Sequence, residues 1–226
     1  LHLSIRRQRQ MCIRDRWETS FTSAGNLTSL VYAAFGKGFK ETDKKLLNSP
    51  YAQFLKMTSE VRCLFKVGEK QHIATRLMGG ILYAYGNQTV APYSEQFYIG
   101  GANSIRAFTV RSIGPGSYRP EDKQYGYLDE TGDVKLEANV EYRFPILGDL
   151  YGAAFLDAGN VWLLREQKNE EGENIRPGGL LTLRNFAKSI ALGTGVGLRY
   201  DLTFLVIRLD LGIAPVSYTH LTLPTN

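Results

Sequence analysis

Two cysteines and three histidines in 226 residues leave little room for redox or metal chemistry. The spacing matches no zinc motif, and no nucleophile–histidine–acid set can be assembled. Long apolar runs are also missing. No stretch reaches the roughly 18 residues that a membrane-crossing helix needs. Either the chain is soluble, or it crosses a membrane with strands, whose apolar signal falls on every second residue and escapes hydropathy windows.

The ends differ from the middle. DNA that can encode Ile5–Arg16 yields, on its reverse complement, Val216–Asn226 without a mismatch. One DNA element in opposite orientations, matching a common sequencing adapter, therefore brackets the rest. Residues 1–16 and 216–226 are expected to be adapter read-through rather than native protein, and are set aside. This changes the charge. The formal net of +5 comes from 27 basic and 22 acidic residues. The leading stretch holds Arg6, Arg7, Arg9, Arg14 and Arg16 against Asp15, so 22 basic and 21 acidic residues remain, a net of +1. The basic excess that would suggest a nucleic-acid partner goes with the flank. Cys63 is then the one cysteine and His72 the one histidine, with no disulfide partner and no cofactor implied.

What is present is alternation. From Val134 to Phe144, Val134, Leu136, Ala138, Val140, Tyr142 and Phe144 point one way; Lys135, Glu137, Asn139, Glu141 and Arg143 point the other. The same pattern runs through Leu55–Val67 and Phe204–Ala214. Such runs exceed the usual five or six residues of soluble strands and match the roughly 9–11 of tilted membrane strands. Seven strands are predicted, at about 17–24, 51–67, 71–86, 133–145, 149–163, 189–201 and 203–214. Residues 27–35 fit a short helix or a strand. Short turns at 68–70, 147–148 and 201–202 alternate with long loops at 87–132 and 164–188, which places both long loops on one side. Tyr83, Tyr85, Trp162 and Tyr200, near strand ends, fit interfacial girdles. A soluble β-sandwich is the competing architecture.

The loop at 87–132 is too long for a plain connector. Its centre, QFYIGGANSIRAFTVRSIGPGSY, puts two arginines, Arg106 and Arg111, among apolar residues and tight turns. Gly100-Gly101, Ile105-Arg106-Ala107-Phe108 and Gly114-Pro115-Gly116 resemble the inward-folded sixth outer loop of the BamA/TamA superfamily of outer-membrane assembly factors. EYRFPI (141–146), AAFLDAGNVW (153–162) and GVGLRYD (195–201) resemble further family stretches, in family order. The flavour is that of TamA-like members of the Bacteroidetes type.

That resemblance implies an all-β antiparallel transmembrane barrel of the bacterial outer membrane, of which residues 17–215 supply about seven of sixteen strands. It also implies POTRA domains ahead of the barrel, and a non-enzymatic role in inserting or translocating outer-membrane proteins. The implied partners are outer-membrane lipids, outer-membrane protein clients and periplasmic or inner-membrane assembly factors, with no nucleic acid. In the family the loop arginine reaches a Phe-x-Asp pair, which here is Arg106 with Phe155 and Asp157. The parity agrees, since Tyr151, Ala153, Phe155, Asp157 and Gly159 share a face. Ala107 departs from the family's glycine; if that position needs positive φ, alanine is strained there. Two other readings stay open: the barrel of a patatin-like lipase fusion, and a passive porin or receptor. Gly193–Gly197 resembles a phosphate loop in letters only, because it lies inside an alternating strand.

Overall fold

A computed structural model describes residues 15–34, 45–46, 49–86, 88–119, 130–169, 172–202 and 205–216. The elements in chain order are β1 (Arg16–Ala24), α1 (Asn26–Ala34), β2 (Lys45–Leu46), β3 (Ser49–Pro50), β4 (Gln53–Lys66), β5 (His72–Tyr85), β6 (Val134–Leu147), β7 (Leu150–Trp162), α2 (Leu183–Ser189), β8 (Ala191–Asp201) and β9 (Val206–Val216). β2 and β3 form a two-residue ladder of their own. The other seven strands make one sheet in the order β1-β4-β5-β6-β7-β8-β9, antiparallel throughout. Sequence neighbours are therefore spatial neighbours, as in an up-and-down barrel wall.

The seven predicted strands are all present. Where the ends are described they move by at most two residues, and of residues 27–35 those through Ala34 belong to the helix α1; residues 35 and 203–204 lie outside the described residues. Ser189, placed in a strand by its sequence, instead closes α2. The sheet begins at Arg16 and ends at Val216, one residue beyond each limit set for the native segment. Three long connections, α1 with the β2–β3 ladder, the segment after β5 and the segment after β7, leave from the same end of the sheet. Of the loop at 87–132, residues 87 and 120–129 lie outside the described residues.

Register turns the alternation into two faces. Met57 pairs with Ile81 and Val61 with Leu77 on one face. Glu60 and Glu137 both oppose Met78 on the other, and Asn139 opposes both Arg76 and Asp157. On the apolar face Met57, Val61, Phe65, Leu77, Ile81, Val140, Leu156, Val196 and Leu198 are exposed. A sandwich would cover these residues with a second sheet, and among the described residues none lies there. A water-soluble protein rarely exposes so wide an apolar surface. The polar face instead carries the interior. Phe54, Leu82, Phe97, Ile99, Ile105, Ile113 and Val161 form an apolar cluster between the inner wall and the segment after β5.

One girdle assignment is corrected. Tyr83 and Tyr200 are exposed on the outer face near strand ends, but Trp162 is fully buried. Phe186 of α2 stacks on it with ring centroids 5.0 Å apart, and its Nε1–H donates to Ser189 Oγ at 2.9 Å. A helix folded from the loop after β7 covers this tryptophan.

Among the described residues β1 and β9 each have one sheet neighbour. Open strand edges leave backbone groups without partners, which a bilayer does not tolerate. Residues 17–215 refolded alone in detergent should not give a heat-resistant, protease-protected band in gel electrophoresis. A stable band of that kind would contradict the need for further strands.

Candidate functional site

Residues 96–118 run along the inner face instead of extending from the end of the sheet. Paired backbone bonds anchor the entry: Phe97 N–H to Gly132 O at 2.9 Å, and Gly132 N–H to Phe97 O at 2.8 Å. A tight hairpin follows, closed by Gly101 N–H to Phe108 O at 2.8 Å and Arg111 N–H to Ile99 O at 2.9 Å. Gly100 and Gly101 both have positive φ, at 101° and 91°, as do Gly114 and Gly116. At Gly100 such values suit a residue without a side chain, and a Cβ there would strike the Thr109 carbonyl. Ile105 is wholly buried and Phe108 packs against the apolar cluster. Past Pro115, Gly116 N–H bonds to Val161 O at 2.7 Å and Asn160 Nδ2–H to Gly116 O at 2.8 Å, which ties the loop's exit to β7.

The hairpin tip carries Arg106 beneath the apolar cluster. Asp157 on β7 takes its fork: Nε–H to Oδ2 at 2.9 Å and Nη2–H to Oδ1 at 2.8 Å, with the Arg106 backbone N–H also on Oδ2 at 3.1 Å. The guanidinium lies 3.6 Å from the centroid of the Phe155 ring. Planar guanidinium suits a two-pronged carboxylate contact and an aromatic face at once, which an ammonium does not. Arg106, Phe155 and Asp157 thus meet in one place. Arg106 is 7% exposed and Asp157 0%.

The arrangement is larger than that trio. Glu141 on β6 also accepts from Arg106, and it holds Arg199 of β8 at 2.9 Å and Arg143 at 2.8 Å. Asp210 on β9 holds Arg199 at 2.5 Å and Arg208 at 2.9 Å. Arg199 and Arg208 face each other across β8 and β9, a like-charge pair that Asp210 compensates. Asn139 Nδ2–H donates both to Asp157 Oδ1 and to the Ser104 carbonyl, each at 2.9 Å. A second hold lies toward β5. Glu137, wholly buried, accepts from Arg76 at 2.6 Å, Lys135 at 2.9 Å and Ser104 Oγ at 2.9 Å, while Arg76 also donates to Asn103 O at 2.9 Å.

Sequence reasoning put Glu137, Glu141 and Asn139 on the charged face without giving them partners. It did not single out Arg76, Arg199 or Asp210. The signal was the inner parity of each strand; cross-strand register was needed to turn it into contacts. At the loop's rim, burial pushes the Asp133 carboxyl above its ordinary range, opposed by the Leu164 N–H and by the Arg165 and Arg176 charges.

Ala107 answers a question raised by the sequence. Among the described residues Arg111 is the one non-glycine with positive φ, so Ala107 carries no such strain. Its constraint is closeness. A Cβ added at Gly193 would lie 2.9 Å from the Ala107 Cβ, and one at Gly212 would lie 3.0 Å from the Ala107 Cα.

A family model described as the Omp85 superfamily domain matches residues 44–219. The chain belongs to the Omp85 superfamily. With that membership go the β-barrel wall and its place in the bacterial outer membrane. Outer membrane protein assembly factor BamA of Neisseria meningitidis serogroup B is 32% identical over 88 residues, 37% of this chain and 11% of that protein. Sorting and assembly machinery component 50 homolog B of Xenopus laevis is 30% identical over 148 residues, 64% of this chain and 29% of that protein. The crystal structure of BamA from Haemophilus ducreyi lacking POTRA domains 1-3 aligns with a TM-score of 0.56 at 18% identity, over 74% of this chain and 32% of that one. The chain therefore spans less than a third of each of these proteins.

Overpacking the seat of the loop should loosen it. Gly212→Val in the complete protein is expected to cost about 1–3 kcal/mol and to speed trypsin cleavage after Arg106 and Arg111. Ala107→Gly should leave cleavage nearly unchanged. Unaltered cleavage in Gly212→Val would contradict the close approach.

Proposed function

We propose that this segment is the barrel portion of a non-enzymatic factor that inserts or assembles outer-membrane proteins, and that Arg106 with Asp157, Glu141 and Phe155 locks the loop inside the lumen. The observation that carries the reading is the buried fork of Arg106 on Asp157. A passive pore gains nothing from filling its lumen with a hairpin held by buried charge. An assembly barrel has a use for it, because a wall that must open elsewhere to accept a client strand needs bracing from within. Unpaired strand edges template pairing, so a weak seam is physically suited to client entry.

In this reading the complete barrel has sixteen strands, with POTRA domains ahead of them. The partners are outer-membrane lipids, outer-membrane protein clients and periplasmic or inner-membrane assembly factors. The names of the two relatives, an assembly factor and a sorting and assembly component, support the role. The TamA-like subtype is the finer form of the same reading. A patatin-like lipase joined to this barrel is the alternative, and a Gly-x-Ser-x-Gly motif in the same gene would favour it.

The test is a double-mutant cycle in the complete protein. Removing one partner of a buried ion pair should cost about 3–5 kcal/mol. Arg106→Ala and Asp157→Ala should each lower barrel stability and growth-supporting activity, and the double variant should be much less harmful than the sum. Strict additivity would remove the lock.

A further inference from the structure

The outer wall carries a feature that neither the lock nor the barrel requires. Near the end from which the long loops leave, a cavity of about 720 Å³ lies between the wall and the segment that folds back from β7. Met57, Gly79, Ile81 and Leu136 form its floor, and Trp162 and Phe186 are among its walls. Gly79 and Gly80 are neighbours in β5 and face opposite ways. Gly80 faces inward, and a Cβ there would come within 2.5 Å of the Phe97 ring, so the folded loop accounts for it. Gly79 faces outward, and a Cβ there would meet nothing within 4 Å. Its missing side chain leaves the cavity floor bare.

We propose that this cavity holds an acyl chain of a membrane lipid, with α2 lying across it as a bracket. The cavity continues the lipid-facing wall. Below Met57 and Ile81 the same face runs on through Val61 and Leu77, both exposed. Its occupant therefore comes from the bilayer, the medium that this face already contacts. Water would find few partners in a cavity so largely apolar, whereas a hydrocarbon chain leaves no polar group unpaired on entering it. The volume falls within the roughly 300–1,000 Å³ of small-molecule sites.

A cation marks the headgroup end. Arg165 stands 4.7 Å from the centroid of the Tyr83 ring, two residues beyond Ile81 on the outer face, and donates to the Tyr83 hydroxyl at 2.5 Å. Exposed tyrosine near a strand end marks the membrane interface, where lipid phosphates lie. The proposal depends on the membrane location alone and stands or falls apart from the assembly role.

The test uses the complete protein in phosphatidylethanolamine vesicles doped with a phosphatidylethanolamine that carries a diazirine near the end of one acyl chain. After illumination, labelled positions are mapped by peptide mass spectrometry. Labelling at Gly79–Ile81 and Leu181–Phe186 should exceed that at Val196 and Leu198, exposed on the same face of β8, by several-fold. Gly79→Trp should fill the floor and bring labelling at Leu181–Phe186 down to the level of Val196 and Leu198, which should not change. Gly79→Leu serves the same purpose if the larger ring prevents insertion. Labelling at the cavity no higher than at β8, or undiminished by either substitution, would overturn the proposal.

Discussion

An arginine cannot shed its charge by shifting its pKa within the accessible range, so a fold that buries one must surround it with acceptors. Arg106 sits at the tip of a hairpin pressed onto the inner wall, almost without exposure. Everything nearby follows from that. β7 supplies Asp157 to match both prongs of the fork and Phe155 to cover its face. β6 supplies Glu141, and Arg199 of β8 with Asp210 of β9 spreads the charge over further strands. Four consecutive strands are thereby tied to one loop residue. The Ile99, Ile105, Ile113 and Val161 cluster lies toward the loop end and keeps water from that side, which strengthens each interaction beneath it.

Such a seat needs room. The inner faces of β8 and β9 are built from small residues where the hairpin lands, and Ala107 approaches their backbone closely. The wall thus serves two media and one plug. Its outer face is apolar for lipid. Its inner face is charged where the hairpin tip is held by ions, and apolar where Phe97, Ile99 and Ile105 rest on it. A strand's two-residue period supports both faces with one backbone, which is why the architecture is compact in sequence yet specific in contact.

Much of this was legible from residue order. Alternation in Val134–Phe144 and Leu55–Val67 located long strands and their two faces. The trio of Arg106, Phe155 and Asp157 came from the family likeness, and parity placed its two β7 members on a common face. Glu141, Arg199 and Asp210 were not legible as partners, because a charge on an inner face looks the same whether it wets a lumen or grips an arginine. Only cross-strand register distinguishes the two. Trp162 failed as an interfacial marker for a related reason: an aromatic at a strand end reads alike whether lipid or a helix covers it, and α2 is too short to announce itself inside a polar loop. At Ala107 the sequence raised a question of backbone angle, and the answer was proximity, which depends on two distant glycines.

Hydrogen exchange of the complete protein tests the central claim most directly, comparing residues 96–116 with β7. If the Arg106 ion set holds the hairpin against the wall, amides such as Gly101, Phe108 and Arg111 should exchange nearly as slowly as those of β7. They should become fast in Asp157→Asn while β4 to β8 remain protected. Rapid exchange of the hairpin in the unaltered protein, or slow exchange that persists in Asp157→Asn, would contradict the account.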